Sequence, residues 1–246
     1  MRATIIGIGL AALLPAGIGM AQEAVKPAPG LYIRGEVGYF WSRPADIGDR
    51  AAWNGPNCVI CTGGSLDDVG NGGTIGGGLG WRFNDWLRAE ATVTYRGGMQ
   101  LKDGDGSGYS YRSDINSTAG IVSLLVDSPW RLGPLQPFAG AGIGVAHNSM
   151  GRISQSATLS GVPVSENDPG GSNTGFAWQA TAGLAWPITA NLTAELAYRY
   201  VDLGKLRTSA GNSQFTVGAS SVTVSTGGVE GNLRGQEAVL GLRWSF

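Results

Sequence analysis

Three observations predict the fold class. Apolar and polar residues alternate with a period of two, short and long connections alternate along the chain, and no stretch after residue 21 is long and apolar enough for a spanning helix. Together they predict an all-β chain: an eight-stranded antiparallel transmembrane β-barrel with four long extracellular loops and short periplasmic turns.

The strands follow in order. Leu31, Ile33, Val37, Tyr39 and Trp41 alternate with Tyr32, Arg34, Glu36 and Gly38. Ile75, Leu79, Trp81 and Phe83 alternate with Thr74, Gly76, Gly78 and Arg82, and Leu87, Ala89, Ala91, Val93 and Tyr95 with Arg88, Glu90, Thr92 and Thr94. Residues 115–126 are apolar on both faces near their end, so the pattern assigns them no register. Residues 137–147 place Ala139, Ala141, Ile143 and Val145 on one face and glycines on the other. Phe176, Trp178, Ala180, Ala182, Leu184 and Trp186 form a sixth apolar row, and Leu192, Ala194, Leu196, Tyr198 and Tyr200 a seventh. The closing stretch EAVLGLRWSF sets Ala238, Leu240, Leu242, Trp244 and Phe246 opposite Glu237 and Arg243.

A strand of about 9–11 tilted residues crosses a bilayer, and closure removes the unpaired edges that hydrocarbon does not tolerate. The apolar rows therefore face lipid. Tight turns are expected at Asn84-Asp85, residues 128–134 and residues 189–191, and long polar loops over residues 42–71, 97–111, 148–174 and 202–233. Trp81, Phe83, Trp86, Trp186, Trp244 and Phe246 gather at the short-turn end, as an interfacial aromatic girdle requires.

The N-terminus reads MRATIIGIGLAALLPAGIGMAQE: a basic residue, a short apolar run, then small residues before Ala21. That pattern predicts a cleavable signal peptide over residues 1–21, a short segment over 22–30 and a barrel domain over 31–246, and hence export to the cell outer membrane. Losing Arg2 with the signal would take the net charge from −1 to −2. With 14% charged residues and no basic stripe, nucleic acid is excluded as a partner.

The inward face carries Arg34, Glu36, Arg82, Arg88, Glu90, Glu195, Arg199, Glu237 and Arg243. Eight strands leave an interior that side chains just fill, so these charges are expected to pair as a lumen network. A gated path for small ions is the alternative. Cys58 and Cys61 sit in GPNCVICTGG, a Gly/Pro/Asn-rich setting without His, which suits a short disulfide in a surface loop better than a redox or zinc site. No metal and no cofactor are expected. The glycine runs at 76–78 and 140–144 precede no helix and carry no Lys-Ser/Thr, which excludes a phosphate loop.

His147 is the sole histidine, and Ser149 shares its face of an extended segment. This resembles the His-x-Ser-Asn arrangement of outer-membrane lipid A deacylases, in which a lipid-facing His activates Ser. Met150 stands where that arrangement has Asn, and no third orienting carboxylate stands at matching spacing. The pair also reads as polar residues where a strand leaves the membrane. A lone His beside aromatics could ligate haem, but nothing else in the sequence supports it.

The stretches PFAGAGIGVA (137–146), FAWQATAG (176–183), AYRYVDLG (197–204) and LGLRWSF (240–246) resemble the opacity-like β-barrel family of Gram-negative surface antigens. The resemblance implies a barrel related to that of outer-membrane protein A, with long, variable extracellular loops. Members are described as surface antigens, adhesins, haem binders or envelope-stabilising proteins. The terminal row Leu240, Leu242, Trp244 and Phe246 is similar to the insertion signal read by the barrel-assembly machinery. The expected function is therefore non-enzymatic. The barrel would sit among outer-membrane lipid and lipopolysaccharide and offer its loops to a host or extracellular ligand.

Overall fold

The computed structural model describes residues 29–43, 48–49, 70–103, 110–159, 161–226 and 229–246. Cys58 and Cys61, and the expected signal peptide, lie outside them. The strands are β1 (Gly30–Ser42), β2 (Gly48–Asp49), β3 (Asn71–Arg82), β4 (Leu87–Asp103), β5 (Ser110–Asp127), β6 (Gln136–Met150), β7 (Ile153–Leu159), β8 (Val162–Asp168), β9 (Gly171–Pro187), β10 (Leu192–Arg207), β11 (Gly211–Val217), β12 (Ser220–Thr226) and β13 (Val229–Ser245).

Eight of these close on themselves in the order β5-β4-β3-β1-β13-β10-β9-β6, with β6 returning to β5. All neighbours are antiparallel. The seam between the first and last strands is continuous, from Tyr32↔Ser245 to Ser42↔Gly235. Even the final amide is used, since Phe246 N–H donates to the Leu31 carbonyl.

Side-chain alternation sorts the faces as the period-two pattern requires. Ile33, Val37, Ile75, Leu79, Val93, Ile143, Leu196, Leu240 and Leu242 all point outward. From Leu31 to Trp41, ten residue steps of about 3.3 Å tilted by about 40° rise about 25 Å, the height of an outer-membrane apolar band. The expected lower girdle faces outward throughout, and Trp130, also exposed, extends it. Tyr39, Trp41, Tyr95, Trp178 and Tyr198 mark the upper edge, where Tyr39 and Trp41 meet edge-on at 5.1 Å.

Three tight turns close the lower end. Asn84 Oδ1 accepts from the N–H groups of Trp86 and Leu87. Thr189 Oγ1 plays the same part for Asn191 and Leu192. Asn191 Nδ2 then donates to the Ser245 carbonyl at 2.7 Å, pinning the last strand to this turn.

The upper end departs from expectation. The segments 97–111, 148–174 and 202–233 are not plain loops. β4 runs on to Asp103 and β5 begins at Ser110, while β10 reaches Arg207 and β13 starts at Val229. β7, β8, β11 and β12 add a sheet that continues the wall through β5, in the order β12-β11-β8-β7-β5. Two bulges mark where strands leave the lipid band, between Arg96 and Met99 and between Asp202 and Lys205. Gly98 (φ 79°) and Gly204 (φ 75°) supply the left-handed residues that these bulges need.

Candidate functional site: lumen and outer rim

The β5 register resolves here. Val122, Leu124 and Val126 face lipid, while Ile115, Ala119, Ile121 and Leu125 face inward. Both faces are apolar because the lumen itself is apolar at two levels. Leu125, Phe138, Ala185, Ala197 and Val239 form a lower cluster. A larger upper cluster includes Phe40, Met99, Ile115, Met150, Val201, Leu203, Leu206 and Leu233.

A charged layer also lies in the interior. All nine residues named from the sequence lie inside, and two more join them: Arg96 and Asp127, at 0% and 1% exposure. Arg96 merely continues the alternation Arg88-Glu90-Thr92-Thr94, and that step was the available signal. Asp127 ends a strand whose register the sequence leaves open.

The ion pairs form one connected chain. Arg96 Nε meets Glu237 Oε1 at 2.6 Å. Glu237 also holds Arg199, at 3.1 Å, and Arg199 grips Glu36 at 2.8 Å. Arg34 touches Glu36, Glu90 and Glu195 at 3.1, 3.0 and 3.2 Å. Arg88 joins Glu90, Glu195 and Asp127 at 2.5, 3.2 and 3.2 Å. Arg243 binds Glu195 at 2.8 Å, and Arg82 binds Asp127 at 2.9 Å. Six arginines face five carboxylates, so the layer carries a formal charge of +1.

Neutral groups complete it. Tyr32 O–H donates to Glu90 at 2.8 Å, and Thr94 O–H donates to Glu36 at 3.1 Å. The Arg88 and Arg243 guanidiniums lie over the rings of Phe138 (4.8 Å) and Tyr32 (5.2 Å). Glycine makes the room. A Cβ on Gly80, directly across from Tyr32, would sit 2.1 Å from its ring, and one on Gly235 would sit 2.3 Å from Phe40. With the charges paired, the lower apolar cluster beside them at the same level (Leu125 across from Arg88, Phe138 across from Asp127) and the upper cluster above, side chains occupy the lumen.

Outward, polarity returns abruptly above the belt. On β6 and β9 the step runs from Val145 to His147 and from Phe176 to Thr174. His147 Nδ1 lies 2.8 Å from Thr174 Oγ1 on the facing strand. Ser149 shares the outward face, between Asn116 and Ser172. Asn148 turns inward and is fully buried, which the sequence reading did not foresee. Its amide donates to the Leu203 and Lys205 carbonyls at 2.8 and 3.0 Å and accepts from Ser117 O–H. It thereby ties β6 to β10 above the point where the β9–β10 ladder ends at Asp202↔Trp178.

The rim over β10 and β13 is charged. Arg234 Nε meets Asp202 Oδ2 at 2.8 Å, while Lys205 and Arg207 both bind Glu230. The hydrogen bond from Lys205, helped by Arg207, holds the Glu230 carboxyl below the usual glutamate range. Among the described residues no group of three or more His, Cys, Asp or Glu could hold a metal ion.

A closed eight-stranded barrel with a lipid-facing belt, two aromatic girdles and a filled, charged interior defines an outer-membrane β-barrel protein. The chain belongs to the outer membrane protein β-barrel domain family, whose pattern matches residues 9–246. An uncharacterised protein of Brucella abortus is 30% identical over 222 residues, covering 79% of this chain and 75% of that one. A candidate adhesin of Rickettsia conorii is 27% identical over 173 residues, 69% of this chain and 66% of its own. Among solved structures, OprG of Pseudomonas aeruginosa shares the fold at TM-score 0.51 and 13% identity, over 90% of this chain and 99% of that one. The protein resides in the outer membrane.

Proposed function

We propose that this barrel is a non-enzymatic anchor and that the strands and loops above the membrane act on the outside, as a surface antigen or adhesin does. The observation that carries the reading is the contrast between the two ends of one wall. Inside, every arginine of the charged layer has a carboxylate partner and an apolar cluster lies beyond it, which suits a scaffold better than a conduit. Outside, β7, β8, β11 and β12 raise a polar sheet that the membrane anchor does not need. Similarity to a candidate adhesin supports the same direction. Insertion would proceed through the assembly machinery reading Leu240, Leu242, Trp244 and Phe246, with lipid and lipopolysaccharide as the permanent surroundings. The exported chain would begin after residue 21.

The test is binding of whole cells to a panel of host proteins, haem and polysaccharides. The full-length protein is compared with a form in which residues 151–170 and 208–228 are shortened to tight turns. Loss of binding with retained barrel folding supports the reading, and equal binding by both forms refutes it. Ser149→Ala should leave the acyl chains of lipid A unchanged by mass spectrometry. An acyl chain retained only in that variant would establish the deacylase instead. In planar bilayers, steady openings sensitive to Arg199→Gln would establish a channel.

A further inference from the structure

Among the described residues, the sheet that rises above the membrane ends on an unpaired strand, β12. β12 pairs with β11 from Gly211↔Thr226 to Val217↔Ser220 and, among the described residues, with no other strand. Natural edge strands are usually guarded by Lys, Pro, a bulge or brevity. This one, SSVTVST, is seven residues of regular strand, and neither it nor β11 contains a charge or a proline. Ser220, Ser221, Val222 and Thr223 are all exposed, Val222 at 61%.

The order of residues along that edge names its partner. Reading outward from Thr223, valine stands at 222 and 224, serine at 221 and 225, and a hydroxyl residue at 220 and 226. The strand reads nearly the same in both directions. An antiparallel copy centred on Thr223 would therefore place 222 against 224, 221 against 225 and 220 against 226, like against like with no charge repulsion. A twofold interface demands that kind of self-complementarity. Backbone phase agrees. β11 and β12 are joined by a two-residue turn, so Val217 and Ser220 are the pair that exchanges hydrogen bonds across it. Alternation from there points the N–H and C=O groups of Ser221, Thr223 and Ser225 toward the open side.

We propose that β12 pairs edge to edge with β12 of a second copy, joining two extracellular sheets about a dyad at Thr223. The dyad of an antiparallel ladder is perpendicular to the sheet, so it reverses strand direction. Because β11–β12 lead away from the barrel rim in a sheet that continues the wall, the copy leads back toward its own rim on the far side of the joint. The two barrels then belong to facing membranes, and the contact is homotypic and cell to cell. This goes beyond a heterologous ligand for the loops and shares with that reading only the location of the surface.

The experiment places the full-length protein in two differently labelled vesicle populations and measures clustering with no other protein present. Wild-type vesicles cluster. Thr223→Pro removes the central donor and Thr223→Lys sets two like charges across the dyad. Either lowers the clustering rate by about tenfold or more. Thr223→Val keeps the donor and clusters like wild type. Heat-modifiable gel mobility verifies that each barrel is folded. Wild-type vesicles that stay dispersed, or folded Thr223→Pro and Thr223→Lys vesicles that cluster like wild type, overturn the proposal. Binding of the whole-cell panel would stand in either case.

Discussion

Neutralising Glu237 is the perturbation that most directly tests the charged layer. This carboxylate is fully buried and accepts from Arg96 at 2.6 Å and Arg199 at 3.1 Å, reaching partners on β4 and β10 from β13. Arg199 retains its grip on Glu36 at 2.8 Å if Glu237 is lost, whereas Glu237 is the acidic partner found for Arg96 among the described residues. Glu237→Gln therefore strands one buried guanidinium and takes the layer from six arginines and five acids to six and four. Breaking a buried pair in this way costs about 3–5 kcal/mol, a large share of a net stability on the order of 5–15 kcal/mol. Adding Arg96→Met removes the stranded charge with a side chain of similar length, and the double variant should recover about 1–3 kcal/mol. Urea titration in lipid vesicles, followed by tryptophan emission and heat-modifiable mobility, reads all four corners of the cycle. If Glu237→Gln unfolds within about 0.5 kcal/mol of wild type, or the double variant is no better than Glu237→Gln alone, the layer is not the buried ion network described above.

On the lipid face, Leu240 sits opposite Val37 and Leu196 in mid-belt, so Leu240→Arg should cost about 2–4 kcal/mol plus the lost leucine and deplete the folded band on a gel. Arg243→Lys, inside, keeps the charge near Glu195 and should assemble almost normally; the opposite ranking would reverse the inside–outside assignment. Gly80→Ala drives a Cβ into the Tyr32 ring and should destabilise by about 1–3 kcal/mol, while Gly73→Ala, where nothing lies within 4 Å, should be close to neutral in the same titration. At the rim, the Glu230 carboxyl is held below its ordinary value of about 4.3, so its contribution is complete above that pH and lost as pH falls through the lower folded value. Protease cleavage of the upper strands should accelerate on acidification below the ordinary glutamate range, and Glu230→Gln should show the same rate at neutral pH.

The period of two made the barrel legible, because lipid outside and a polar layer inside impose opposite demands on successive residues. Leu79 with Arg82, or Leu240 with Glu237, need only the chain itself to be sorted. The same logic fails wherever both faces meet one kind of medium. Residues 115–126 are apolar on both sides because the interior at Ile115, Ile121 and Leu125 is itself apolar, and only closure of the barrel shows which row faces lipid. β7, β8, β11 and β12 carry only scattered apolar residues, such as Ile153, Val164 and Val222, among Ser, Thr, Asn and Gln, because water lies beyond the membrane, so no long apolar row announced them as strands. Pairings such as Arg96 with Glu237 join residues 141 apart in sequence. Residue order carries each charge's sign and face, but the distance between two charges across a lumen is set by strand count and stagger, which exist only once the wall has closed.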